Sequence, residues 1–119
     1  MKQSDIKTPY YLIDENLIIK NLEILKSVSD KTGAKILLAQ KAFSMYSLYP
    51  LIGKYLAGTT ASSLFEAKLG HEEMPGTETH IYAPAYSDED FSEIIKQSLE
   101  LGGFTEDQEG KEILVGFGH

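Results

Sequence analysis

The 119-residue sequence contains no cysteine, so it can form neither a disulfide framework nor a thiolate metal site, and it has no thiol nucleophile. Histidines with the spacing of metal ligands are also missing, because His71, His80 and His119 lie far apart in the chain. We therefore expect no metal site.

Clustered positive charge is absent as well. Acidic residues outnumber basic residues 18 to 11, which gives a formal net charge of −7 at pH 7. Because proteins bind nucleic-acid phosphates through clustered lysine and arginine, this balance argues against a nucleic-acid partner. It is compatible with a cationic substrate.

No stretch approaches the ~20 consecutive apolar residues of a membrane-spanning helix, and the first seven residues lack the apolar core of a signal peptide. We therefore expect a cytoplasmic protein with no membrane partner. Hydrophobic residues make up 42% of the sequence and charged residues 24%, the proportions of an ordinary globular protein, so a folded chain is expected.

Segments with strand and helix character alternate along the sequence. Apolar and β-branched runs predict four strands, and helical spacing of apolar residues predicts a helix after each one. Such repeats imply parallel strands with right-handed crossovers, in an open doubly wound sheet or part of a barrel. A closed eight-stranded barrel needs ~250 residues, about twice this length. The predicted strands are residues 8–14, 34–41, 58–62 and 78–85, and the predicted helices are residues 15–31, 45–56, 63–73 and 87–99.

The first predicted helix has clear boundaries. Asp14 is a suitable N-cap and Gly33 is placed to end the helix. Its buried stripe is expected to consist of four apolar residues at helical spacing, namely Ile18, Leu22, Leu25 and Val28.

The second predicted strand ends on Lys41. Alternation along it places Ala39 and Lys41 on one face, and Leu38 and Gln40 on the other. A lysine just past a strand is usually a solvated boundary residue. With only the methyl group of Ala39 beneath it, this amine also has room for a planar ring above it, and the pattern alone does not choose between these interpretations.

Four blocks of sequence occur in the order and approximate spacing of one family. These blocks, residues 8–11, 38–44, 58–70 and 82–86, lie within a resemblance that covers residues 8–97. The chain resembles the carboxynorspermidine/carboxyspermidine decarboxylases, which are polyamine-forming relatives of the ornithine and diaminopimelate decarboxylases. The family's pyridoxal-phosphate-binding fold is of the alanine-racemase type. The resemblance therefore implies an α/β fold with the first part of a (β/α)8 TIM-type barrel, which is incomplete in this chain.

The resemblance also implies site residues. Lys41 falls where the family carries pyridoxal 5'-phosphate as a Schiff base, so Lys41 is the expected catalytic and cofactor-binding residue. Glu66 falls near the bound cofactor, although the Ser63-x-x-Glu66 spacing is also that of a helix capping box. Thr60 stands where several relatives have aspartate, so no carboxylate contact is expected there. His80 is read as a strand residue with a hydrogen-bonded side chain and no catalytic role.

The implied activity is pyridoxal-phosphate-dependent removal of CO2 from a carboxylated polyamine, in spermidine or norspermidine biosynthesis, by an enzyme that is a homodimer at full length. Residues 1–97 would form the amino-terminal part of the barrel domain, and residues 98–119 a tail that does not match the family. The glycines of this tail are expected in turns. Without the strands that close a barrel, the chain alone should be inactive. Two alternatives are a decarboxylase of the diaminopimelate or ornithine type and a non-catalytic α/β module that pairs with another chain.

Overall fold

Three parallel strands form the centre of the molecule. The computed structural model describes residues 2–83, 86–100, 105–106 and 112–116. The three strands lie side by side in chain order, and each pairs in parallel with the next. This confirms three of the four predicted strands and their parallel arrangement. They are β1 (Leu37–Ala39), β2 (Gly58–Ala61) and β3 (Glu78–Tyr82).

Four helices connect and flank these strands, as predicted. They are α1 (Glu15–Thr32), α2 (Tyr49–Ile52), α3 (Leu64–Glu73) and α4 (Asp88–Glu100).

The ends of α1 follow local sequence signals. The Asp14 carboxylate accepts hydrogen bonds from the amides of Asn16 and Leu17, and Gly33 has the left-handed backbone conformation (φ 73°) of a helix C-cap. Both predicted ends of α1 are therefore confirmed to within one residue.

Helix α2 is shorter than predicted. A 3-10 turn precedes it at Tyr46–Leu48, and the amides of Lys54 and Tyr55 bond three residues back, to Leu51 and Ile52. The chain therefore tightens on both sides of α2, and the predicted helix over residues 45–56 is reduced to a short α-helical centre.

The prediction of a strand at residues 8–14 is wrong. The segment has no regular secondary structure and pairs with none of the strands that the structure describes. Its apolar side chains Tyr10, Tyr11 and Leu12 are 39%, 100% and 51% exposed. Extended, β-branched sequence becomes a strand only where another strand accepts its backbone hydrogen bonds. In the described part of the chain, β1 is an edge of the sheet and this segment does not pair with it.

Two antiparallel strands, which were not predicted from the sequence, extend the sheet beyond β3. Strand β5 (Glu112–Gly116) pairs with β3, and β4 (Thr105–Glu106) pairs with β5, which gives the order β1-β2-β3-β5-β4. The parallel repeat therefore ends at β3. Gly116 is the last residue of β5, so the prediction of a turn there is wrong, whereas Gly102, Gly103 and Gly118 lie outside the described residues.

The core lies on one face of the sheet, in two clusters of buried side chains. The predicted stripe of α1 is only partly confirmed, because Leu22 is buried but Leu25 and Val28 remain 38% and 46% exposed. The cluster beside β1 contains Leu22, Leu48, Tyr49, Ile52, Leu56 and Met74. The cluster beside β3 contains Ala61, Ala67, Ile81 and Ile94.

Candidate active site

Lys41 lies at the rim of the sheet. The amide of Gln40 still bonds to the carbonyl of Thr60 on β2 (3.3 Å), which extends the β1 pairing by one residue. The amides of Ala42 and Phe43 then both bond to the carbonyl of Ala39, at 3.0 and 3.2 Å. This tight turn leaves Lys41 exposed, just past the carboxyl end of β1, where the sequence placed it.

The face of the sheet beside Lys41 is open. Ala39, Thr60 and His80 are aligned across β1, β2 and β3 and are only partly buried. Thr59 and Thr79, which point to the opposite face, are 0% and 1% exposed. The helices therefore cover the Thr59 side, and the small side chains of Ala39 and Thr60 lie on the side that is next to Lys41.

Glu66 holds the start of α3. The Ser63 hydroxyl accepts a hydrogen bond from the Glu66 amide (3.2 Å), which confirms the serine half of the predicted capping box. The Glu66 carboxylate reaches back one residue further than predicted and accepts from the amide of Ser62 (3.2 Å). Ser62 directly follows β2, so Glu66 and Lys41 are at the carboxyl ends of neighbouring parallel strands. The proximity of Glu66 to a cofactor remains a prediction.

Gln40 is a structural element of the site that was not predicted from the sequence. Its side chain is 2% exposed and accepts a hydrogen bond from the Tyr49 hydroxyl (3.1 Å). Burial raises the pKa of the Tyr49 phenol, and the negative charge of Glu66 raises it further. The sequence signal that could have identified Gln40 was a polar residue on the buried face of a strand, directly before Lys41.

A second set of polar side chains lies on the open face, at the amino-terminal end of the strands. The Glu78 carboxylate accepts a hydrogen bond from the Lys35 ammonium group and lies 3.2 Å from Nε2 of His80. The Lys35 hydrogen bond lowers the pKa of Glu78, burial opposes this effect, and His80 lowers it further. The expectation that His80 is a strand residue with a hydrogen-bonded side chain is confirmed.

Acidification should remove the stabilisation that Glu78 provides. Because its pKa is lowered on folding, its contribution is fully present above the unfolded-state pKa of about 4.3 and is lost as the pH falls through the folded-state pKa. Urea midpoints between pH 6 and pH 3 should therefore fall more steeply for the unsubstituted chain than for Glu78→Gln. Parallel curves would contradict the assigned ion pair.

Within the described ranges, no group of three or more histidine, cysteine or acidic side chains could hold a metal ion. Among the helices of those same ranges, none has the length and apolar character to span a membrane.

Comparison with known proteins found no matching family model. One match is to a hydroxylamine reductase from Zymomonas mobilis, which is 56% identical over 32 residues, covering 27% of this chain and 6% of that protein.

The longer matches are to decarboxylases. A carboxynorspermidine/carboxyspermidine decarboxylase from Herminiimonas arsenicoxydans is 46% identical over 90 residues, covering 76% of this chain and 24% of that protein. The crystal structure of carboxynorspermidine decarboxylase from Campylobacter jejuni, complexed with norspermidine, superimposes with a TM-score of 0.73 at 43% identity. This superposition covers 76% of the present chain and 24% of the Campylobacter jejuni chain. The chain thus spans about a quarter of the length of these relatives, and its matched part is homologous to the carboxynorspermidine/carboxyspermidine decarboxylases.

Proposed function

We propose that this chain is part of a pyridoxal-phosphate-dependent decarboxylase that acts on a carboxylated polyamine, with Lys41 as the point of covalent cofactor attachment. The observation that supports this most is the position of Lys41. Its exposed side chain follows β1 at the carboxyl edge of three parallel strands, in a chain homologous to decarboxylases over 76% of its length. In barrels of parallel strands, catalytic groups come from this edge.

The residues around Lys41 fit the carbonyl end of such a cofactor. Among the residues that the structure describes, the salt bridges are Lys26–Asp30, Lys35–Glu78 and Glu78–His80, so no ion pair holds the Lys41 amine. A lysine attacks a carbonyl carbon as the free amine, and the small side chains of Ala39 and Thr60 leave space for a ring beside it. When bound, pyridoxal phosphate supplies an electron sink for the pair left behind as CO2 departs.

The other residues of this edge have supporting roles in the proposal. Glu66 would lie beside the bound ring while its carboxylate keeps Ser62 and the start of α3 in place. Thr60 would contribute a small side chain to the open face. Residues 1–97 would be part of a barrel domain of an enzyme that is a homodimer at full length. The chain alone is expected to be inactive, since three parallel strands do not close a barrel.

We propose that residues 98–119 are a tail outside the decarboxylase relationship, since the match to the Herminiimonas arsenicoxydans protein covers 90 of the 119 residues. Sequencing the genomic DNA across codon 98 tests this proposal, because a decarboxylase pattern that continues without interruption in the same frame would contradict it.

A second candidate function is pairing with another chain without catalysis. It is favoured by the position of β1 at the edge of the sheet that the described residues form, and by an apolar groove of about 200 Å³ between α1, α2 and β1. Leu17 and Ile24, which are 57% and 63% exposed, add apolar surface on α1. Native mass spectrometry tests this candidate, since a monomer that remains unpaired when the other three quarters of a related decarboxylase are supplied would exclude it.

The proposed activity can be tested by transplantation. Residues 8–97 would replace the matching quarter of the Campylobacter jejuni decarboxylase. We expect the chimera to release CO2 from carboxynorspermidine at a rate within about a hundredfold of the parent, because small misplacements of catalytic groups cost up to about that factor. Parallel assays with diaminopimelate and ornithine test the alternative substrates. A folded chimera that decarboxylates none of the three would contradict the proposal.

A further inference from the structure

We propose that Gln40 is a positioning residue, whose buried amide group fixes the main chain that presents Lys41. This proposal rests on the proposed function, in which Lys41 is the cofactor attachment point.

The Gln40 side chain is joined to three other elements. Its Nε2 atom donates to the carbonyl of Glu66 in the first turn of α3 (2.8 Å) and lies 3.4 Å from the carbonyl of Thr60 on β2. Its Oε1 atom accepts from the hydroxyl of Tyr49 on α2 (3.1 Å). Both hydrogens of the amide and one of its acceptor positions are therefore used, at the residue directly before Lys41.

The absence of a side chain at Gly70 leaves space for the Gln40 amide group. A Cβ atom at Gly70 of α3 would lie 2.9 Å from Nε2 of Gln40 and 2.3 Å from Oγ1 of Thr59. Glycine at this position therefore lets α3 approach closely enough for the Glu66 carbonyl to reach Gln40. An apolar side chain of similar length at position 40 would fill the space but leave the Tyr49 hydroxyl and the Glu66 carbonyl without this partner, which is costly when such groups are buried.

Lys41 needs such an anchor because its own side chain is exposed, and a lysine stem has several rotatable bonds. The direction in which its amine leaves the sheet is set by the main chain of residues 40–43, where Ala42 and Phe43 share the carbonyl of Ala39. Gln40 ties the start of this turn to β2, α2 and α3. Loss of the amide should therefore move the amine without removing it.

The test uses the 119-residue chain and three variants. Gln40→Met keeps the side-chain length and removes the hydrogen bonds, whereas Tyr49→Phe removes one of them. Ile81→Val, in the core cluster beside β3, is a control for general loss of stability. Each protein would be incubated with pyridoxal phosphate and reduced with borohydride, and labelling of Lys41 would be compared with that of Lys54 under conditions where all variants are folded. Hydrogen exchange of the Ala42 and Phe43 amides is the second readout.

We expect Gln40→Met to lower the Lys41-to-Lys54 labelling ratio by about tenfold and Tyr49→Phe to lower it less. Amide exchange at Ala42 should accelerate in Gln40→Met, and Ile81→Val should change neither readout. If Gln40→Met matches Ile81→Val in both readouts, the positioning role is overturned. If the unsubstituted chain shows no preferential labelling of Lys41, cofactor attachment by this chain fails. Amide exchange then decides on Gln40 alone, because faster exchange supports its positioning role and unchanged exchange overturns it.

Discussion

Replacement of Gly58 by alanine should unfold the chain under conditions where the unsubstituted chain is folded. Gly58 is the buried first residue of β2, and a Cβ atom there would lie 1.9 Å from the backbone oxygen of Glu78 on β3. Because the obstruction is backbone, relief requires β2 and β3 to separate. We expect a loss of about 3 kcal/mol or more in the free energy of unfolding, at the upper end of the range for overpacking. Urea denaturation followed by circular dichroism measures it.

Gly76→Ala is the matched control for this substitution. Gly76 has a positive φ of 77°, and no atom lies within 4 Å of the position that a Cβ atom would take, so alanine there meets backbone strain but no obstruction. The expected cost is about 1–2 kcal/mol. Equal losses for Gly58→Ala and Gly76→Ala would show that the close approach of β2 to β3 does not limit stability.

Substitution of Lys41 by alanine in the Campylobacter jejuni chimera should abolish covalent attachment of pyridoxal phosphate. Without the amine, the bond that holds the cofactor carbonyl carbon cannot form, and we expect the rate of CO2 release to fall by at least about a thousandfold. Steady-state assays with saturating cofactor, together with the absorbance of the bound cofactor, measure both effects.

Lys54→Ala provides the control for Lys41→Ala. Lys54 is exposed in the turn after α2 and is also a lysine, so its substitution removes the same charge. The Lys54→Ala chimera should keep the rate of the unsubstituted chimera. Loss of activity in both variants would indicate an effect of net charge rather than cofactor attachment.

Local signals made much of the fold predictable. Asp14 and Gly33 determine the ends of α1 through contacts within a few residues, and Ser63 does the same for the start of α3. Alternation along residues 36–41 predicted which side chains of β1 face the helices, and it placed Lys41 at the rim. These features depend on residues that are close in the sequence, so a sequence pattern can predict them.

The features that escaped prediction depend on distant partners. The composition of residues 8–14 favours extension, but it does not specify whether another strand is present to accept their hydrogen bonds. Strand β5 pairs with β3 through residues that are 30 to 38 positions apart in the sequence. Likewise, the alternation placed Gln40 on the buried face, but its partners Tyr49 and Glu66 come from two helices that only the folded chain brings together.

The most direct test of the central claim is to identify the lysine that binds the cofactor. The chimera containing residues 8–97 would be saturated with pyridoxal phosphate, reduced with borohydride, digested and analysed by mass spectrometry. We expect one dominant pyridoxyl-modified site, at Lys41. Stoichiometric modification of a different lysine, with Lys41 unmodified, would contradict it.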